Sequence, residues 1–415
     1  MRLSFGKPFY GWAIVGVGAL VAFGSGPGQS YTFSVFLDHM IEDTGFSRTH
    51  LSTLYAVGTG LSAAMVMVVS RMADRYGPRL MIILAATCLT IACFGMSFAV
   101  GGWSFFAAFA ALRALGQGSL PINATLVTAQ WFVTMRGRAM AVMGLGFSVA
   151  MASLPVLSRT LVESVGWREA YAYLGVLIWV MVVPATALIL RNMPEDMGLY
   201  PDGADHPPEE EAEGSIYEED KRKVLTSPTF WALAIPLCTS PFVSTALIFH
   251  QVAIFAERGL SYSLAAGVFV PLSIASILAS LVAGVIADRV GPKELFFLQM
   301  FVLLIGTICV LFIGSYTGAL LYAAILGSSN GMGRIVTSVI WAHLYGRYRL
   351  GRIQGSATMV MITASALGPL PLAVSQGITG SFTAGIWLMA LLPVAATAVV
   401  ASIRLDKVPY IGSQI

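Results

Sequence analysis

Ala73-Asp-Arg-Tyr-Gly-Pro-Arg79 and Ala287-Asp-Arg-Val-Gly-Pro-Lys293 are two copies of one short loop signature; the first begins at 73 and the second at 287, an offset of 214 residues. The same offset pairs Pro27 with Pro241, Gly137-Arg138 with Gly351-Arg352, and Pro155 with Pro369. One short match arises easily by chance; four in a single register imply that the chain is one unit written twice in parallel order. Parallel repeats embedded in apolar sequence are a construction used by alternating-access transporters.

The sequence around these loops is that of a membrane protein. Of 415 residues, 57% are hydrophobic and 11% charged, against about 25% charged in an ordinary soluble domain. No single core of this size hides so much apolar surface, so the bilayer serves as solvent. Twelve apolar windows of spanning length can be placed, six on each side of residues 191–228. The expected fold is therefore all-α, twelve transmembrane helices in two six-helix pseudo-repeats. The expected division is 1–190 for the first bundle, 191–228 for a linker and 229–415 for the second bundle. A β-barrel is excluded by the lack of alternating segments. With a cytoplasmic N-terminus, eighteen of the 24 Lys and Arg fall on inside segments. Only Arg48, Arg159, Arg168 and Arg258 fall outside, and Arg113 and Arg334 lie within the membrane. That asymmetry places both termini in the cytoplasm. The net charge of +3 reflects this topology and gives no footprint for nucleic acid. The four cysteines sit in apolar segments without metal-ligand spacing. No phosphate loop, zinc signature or nucleophile elbow is present, so no enzyme, cofactor or metal site is expected.

The two loops resemble the best-known cytoplasmic motif of the major facilitator superfamily, and the resemblance covers the whole chain. Ser70 stands where the first copy would have its leading Gly, while Gly284 keeps it in the second. Tyr10-Gly11-Trp12, Trp131-Phe132 with Arg136-Gly-Arg138-Ala139, and Gly166-Trp167-Arg168 are similar to the monocarboxylate and oxalate–formate transporter group. The Pro194-Glu-Asp-Met-Gly-Leu-Tyr-Pro-Asp-Gly203 stretch fits its bacterial members. The resemblance implies secondary active transport of a small, monocarboxylate-like organic anion by alternating access, with proton symport or anion exchange, in a multi-pass bacterial inner-membrane protein. Its partners would be the anion, the lipid bilayer and, for symport, protons. Proton-driven efflux of drugs or metabolites is the alternative. Many members of that group carry an eighth-span arginine that resembles a carboxylate anchor, eight residues before the acidic position of the second loop. Here that position is Ser280, and residues 262–286 carry no charge.

Ionisable groups inside a bilayer are costly and usually face a cavity or a partner. Arg334 is the expected substrate anchor, because an Arg fork can grip a carboxylate through two bonds. Asn330, Thr337, Ser338 and Trp341 share its helical face at spacings of three and four. Arg113 and Gln117 form a corresponding pair in the fourth span, where Arg113 reads either as an anion- or proton-coupling group facing a cavity or as a guanidinium satisfied by backbone carbonyls. Asn123, the equivalent of Thr337, completes the substrate set with Gln29 and Tyr31. His250 reads as a proton-coupling group or as a hydrogen bond fixing two helices. Pro27 and Pro241 are expected to bend or break spans one and seven. Asp74, Arg75 and Gly77, with Asp288, Arg289 and Gly291, are expected to form conformational latches.

Overall fold

The computed structural model describes residues 9–132, 135–204, 228–287, 290–345 and 350–403. Among them every regular element is helical, and ten stretches are long and apolar enough to cross a membrane. The positions expected for the second and tenth spans hold α3 (Arg48–Tyr76) and α14 (Tyr316–Tyr345), of 29 and 30 residues. At about 1.5 Å per residue, each is longer than the ~30 Å hydrocarbon layer.

The chain divides into two compact units, Met1–Met40 with Val57–Ala212, and Ile41–Ala56 with Glu213–Ile415. The first contains α1 (Gly11–Gly24), α2 (Ser30–Thr44, whose last residues go with the second unit), α4 (Pro78–Ser97), α5 (Gly102–Leu112), α6 (Leu120–Trp131), α7 (Arg136–Val165) and α8 (Trp167–Leu188), with most of α3. The second contains α9 (Pro228–Phe249), α10 (Gln251–Glu257), α11 (Tyr262–Gly267), α12 (Phe269–Ala287), α13 (Pro292–Cys309), α14, α15 (Leu350–Leu367), α16 (Pro369–Thr379) and α17 (Thr383–Ser402). Packing repeats with the sequence. In the first unit α4 packs on α8 and α1 on α7; in the second the equivalent pairs, α13 on α17 and α9 on α15, do the same.

The matched prolines behave differently. Gly26-Pro27-Gly28 forms a single 3₁₀ turn, and Gln29 is fully extended at φ −96° and ψ 152°, so the first span is broken. In the seventh span α9 continues as helix through Pro236 and Pro241, and its interruption falls at His250 instead. Proline removes one helical hydrogen bond in both places. The difference lies in the neighbours: glycines flank Pro27, whereas Ser240 and Phe242 flank Pro241 and keep the helical conformation.

The duplicated loops hold each unit together through their last residue. Arg79 donates from its guanidinium to the Ala187 carbonyl and from its backbone N–H to Asn192 Oδ1 at 2.9 Å. Its counterpart Lys293 donates from Nζ to the carbonyls of Ala401, at 3.2 Å, and Ile403, at 2.9 Å. A cation therefore caps the C-terminal carbonyls of the sixth helix in each repeat, where the helix dipole favours it. Of the expected latch residues, Asp288 and Arg289 and the Asp74 side chain lie outside the described residues. Arg75 is exposed, with its guanidinium 5.3 Å from the Tyr76 ring centroid.

The two loop glycines are not equivalent. Gly77 sits at φ +81° and ψ 148°, a region nearly closed to other residues, with Asn192 against its Cα. Gly291 has φ −66° and ψ 157°, and an added Cβ would meet only the flexible Glu294 side chain. Gly77→Ala is expected to cost about 1–3 kcal/mol, whereas Gly291→Ala should stay within about 0.5 kcal/mol. Thermal midpoints of the two purified variants check this; equal shifts would contradict it.

Candidate functional site

In the second unit the site is built where α12 meets α14. An added Cβ on Gly327 or Gly331 of α14 would strike the carbonyl oxygens of Leu272 and Ser276, so the two helices run in backbone contact. This close approach lets a side chain of one helix reach polar groups of the other. Arg334 does so: its Nη2 donates to Ser276 Oγ at 2.9 Å and lies 3.4 Å from Ser280 Oγ. Ser280 Oγ is itself held by the carbonyls of Ser276, at 2.8 Å, and Gly331, at 3.0 Å. The positive charge absent from position 280 is thus delivered beside it from the neighbouring helix. Arg334 is exposed, and among the described residues no carboxylate lies within ion-pair reach of it. Its contacts use one terminal nitrogen, which leaves Nη1 and Nε as donors for an oxyanion.

The remainder of the expected tenth-span stripe separates. Asn330 is half-buried beside Arg334, one turn away. Thr337 Oγ1 donates back to the Gly333 carbonyl at 2.9 Å, and the Ser338 side chain lies outside the described residues. Trp341 is fully buried, stacked on Phe230 with centroids 5.2 Å apart. It belongs to the interior rather than to a polar face.

The first unit builds a different structure from Arg113. Between α5 and α6, Arg113–Ser119 is a π-helix, seven residues long. Pro121 cannot donate to the Gln117 carbonyl, and Gly116 and Gly118 let the turn widen. Leu120 N–H reaches back to Leu115, five residues earlier. The widened turn lies against the broken first span: Cβ atoms on Gly28 and Gly116 would collide with each other's backbone. Arg113 is 2% exposed; Nη1 donates to the Gly28 carbonyl at 2.7 Å and Nε to Thr59 Oγ1 at 2.9 Å. Of the two sequence readings, this geometry supplies the carbonyl partner of the second.

Gln29 is half-buried, its Nε2 3.4 Å from Ser25 Oγ, and Tyr31 is buried near Gly26. Gln117 is half-buried, with Oε1 enclosed and lacking a donor among the described residues. Asn123 is fully buried; Nδ2 donates to the Ser119 carbonyl at 2.8 Å, and Oδ1 has no donor among the described residues. His250 is fully buried in the second unit, with Nε2 3.0 Å from the Pro369 carbonyl and the Phe249 and Phe382 rings against it. It ties the α9–α10 junction to α16. No group of three or more His, Cys, Asp or Glu gathers as a metal site among the described residues.

Residues 18–369 match the Major Facilitator Superfamily model. The chain belongs to the major facilitator superfamily. The apolar helices, ten of them long enough to cross a membrane among the described residues, accord with a multi-pass membrane protein of that family. The chain is 26% identical over 171 residues to the riboflavin transporter RibJ of Trypanosoma cruzi, covering 40% of this chain and 36% of that protein. It is 28% identical over 213 residues to a probable hexose phosphate transport protein of Chlamydia trachomatis, covering 48% and 44% respectively. The chain thus spans less than half the length of these two curated relatives. A longer match, 25% identical over 84% of this chain and 70% of the other, is to the aspyridones efflux protein apdF of Emericella nidulans. Among solved structures, a bacterial homologue of the lysosomal transporter Spinster superposes with a TM-score of 0.71 at 15% identity, covering 97% of this chain and 98% of that one. The nucleoside transporter NupG superposes with a TM-score of 0.75 at 12% identity, covering 94% and 100%. These likenesses establish the fold.

Three features were missed in the sequence. The π-turn was signalled by Gly116-Gln-Gly118 followed by Pro121. The cationic caps were signalled by a basic residue ending both loops. The third, Thr59 as an Arg113 partner, had no sequence signal, since its distance in the chain hides the contact.

Proposed function

We propose that this superfamily member moves a small organic anion by alternating access, with Arg334 as the anchor. Twelve spans, cytoplasmic termini and residues 191–228 as the linker between bundles belong to the same reading, as does a bacterial inner-membrane location. The observation that carries it is an exposed guanidinium in the middle of α14, steadied by two serine hydroxyls and lacking a carboxylate partner among the described residues. A charge at that depth is costly against hydrocarbon and is at home in a wet, anion-accepting cleft. Hydroxyl partners orient the guanidinium without cancelling its charge, so the anion supplies the counter-charge. Hexose phosphates, the solutes for which several relatives are named, are organic anions too; a carboxylate and a phosphate would both suit this fork. Coupling is by anion exchange or proton symport. The efflux reading draws support from the likeness to apdF, which extends over most of both chains.

A thermal-shift screen of the purified protein tests the substrate class. Monocarboxylates, dicarboxylates and sugar phosphates are compared with neutral sugars, riboflavin and organic cations at several pH values. A ligand at one hundred times its Kd stabilises the folded state by about 2.7 kcal/mol, so anions that bind should raise the midpoint visibly. A response confined to neutral or cationic compounds would overturn the anion reading.

A further inference from the structure

Three helices of the second unit meet at Gly333, and the groups they bring there are polar. A Cβ added to Gly333 would stand 3.2 Å from Ser240 Oγ of α9 and 3.3 Å from Gln299 Nε2 of α13. Both groups thus reach one point on α14, beside the residue that precedes Arg334. Gln299 lies midway along α13 and is 1% exposed, and its Nε2 has no acceptor among the described residues.

The shortage of partners continues along the helices. Phe230 stacks on Trp341 and Ser240 faces Gly333, so α9 and α14 run antiparallel, and the next turn sets Ser244 opposite Ser329. Both serines are buried, and neither Oγ has a partner among the described residues. A helical hydroxyl can always bond back to the preceding turn. Thr307 and Thr337 do so, to the carbonyls of Leu303 and Gly333; Ser244 and Ser329 do not. Buried polar atoms without bonds are costly, so a row of them implies a guest that supplies the bonds.

That row leads to the anchor. At about 100° per residue, Ser329, Gly333, Thr337, Asn330 and Arg334 succeed one another within about 140° of the α14 circumference. Burial falls along the same arc, from Ser329 through half-buried Asn330 to exposed Arg334. The row is neutral: its hydroxyls give and take hydrogen bonds, and the Gln299 amide N–H gives them. An alkyl chain would leave these groups unbonded, and a second carboxylate would bring in a charge without a counter-charge. Hydroxyl groups satisfy them.

We propose that Ser240, Ser244, Gln299 and Ser329 bind the hydroxylated body of a solute whose anionic head sits on Arg334. The solutes are then hydroxylated organic anions, sugar acids or sugar phosphates, in preference to alkyl acids. The inference rests on the anchor reading of Arg334 and adds the other end of the solute.

The test is calorimetric titration of the purified full-length protein with two matched pairs. Gluconate is set against hexanoate, and glucose 6-phosphate against hexyl phosphate, so that each pair shares a head group and a carbon count. The hydroxylated member of at least one pair should bind about a hundredfold tighter or more, since a site built for hydroxyls rejects the analogue that lacks them. Gln299→Leu, and separately Ser240→Ala with Ser329→Ala, should each lower that preference roughly tenfold or more. A mere packing defect would weaken both members of a pair together and leave their ratio unmoved. A wild-type preference below about twofold in both pairs overturns the proposal. So does a preference that persists in the folded variants, the result expected if the row holds ordered water only. Where Gln299→Leu does not fold, the double serine variant, which removes two oxygens and little volume, decides alone. Arg334→Ala should weaken both members of the responding pair. If it weakens neither, the anchor reading fails, while the ratios in the other variants still decide the hydroxyl row. Absence of binding by all four compounds overturns both readings.

Discussion

Arg334→Ala is expected to insert and fold like the wild type and to lose anion binding and uptake together. The side chain is exposed and its only described bonds are to the Ser276 and Ser280 hydroxyls, so its removal leaves no buried charge behind. Ser280 retains the Ser276 and Gly331 carbonyls as acceptors, which keeps α12 and α14 together without the arginine. The ligand, in contrast, loses its charged partner. Losing one side of such a pair costs about 2–5 kcal/mol, or roughly thirty-fold to several thousand-fold in affinity. Arg334→Lys should recover only part of this, because an ammonium is a point donor where the guanidinium is a fork. The measurements are the midpoint without ligand, which should hold, and the ligand-induced shift and uptake, which should vanish. Unimpaired uptake by Arg334→Ala would remove the anchor from the mechanism.

Arg113→Met should do the opposite and lower the midpoint of the free protein. Arg113 is enclosed, and its two described bonds hold the Gly28 carbonyl, next to the extended Gln29, and Thr59 on α3. Its loss orphans a buried carbonyl at a cost of about 1–3 kcal/mol, although some of the expense of burying a charge is refunded. Met keeps much of the volume, so the measured drop reports the bonds rather than a cavity. Arg113→Lys should not restore stability, since one ammonium replaces a fork that spans two acceptors. A stable Arg113→Met protein with abolished uptake would instead make Arg113 a ligand or proton-coupling group. The two arginines, similar in the sequence, are thereby separated by which quantity each substitution moves.

How far such distinctions were legible depends on the distance over which each one is decided. The duplicated loops, with the apolar windows around them, announced the two-part helical architecture because both are local patterns with a fixed register. The broken first span could be read from Gly26-Pro27-Gly28, but Pro241 carried the same expectation and α9 runs through it. The proline was the shared signal; the glycines were the deciding one. Helical spacing grouped Trp341 with Arg334, yet Trp341 stacks on Phe230 in the interior. Spacing fixes which residues share a face, not where a 30-residue helix turns that face along its length. The shift of charge from position 280 to Arg334 was likewise beyond reach, because it depends on the backbone contact between α12 and α14.

The π-turn at Arg113–Ser119 has a bearing on chain length itself. A helix that holds one residue too many in a widened turn can shed it there and close to ordinary pitch, leaving the flanking segments in phase with their neighbours. The same deletion in a regular span such as α8 would swing everything beyond it by about 100°. When related chains are compared, a one-residue gap between 113 and 119 is physically cheap, and it would mark a relative that has given up the bed on which Gly28 rests.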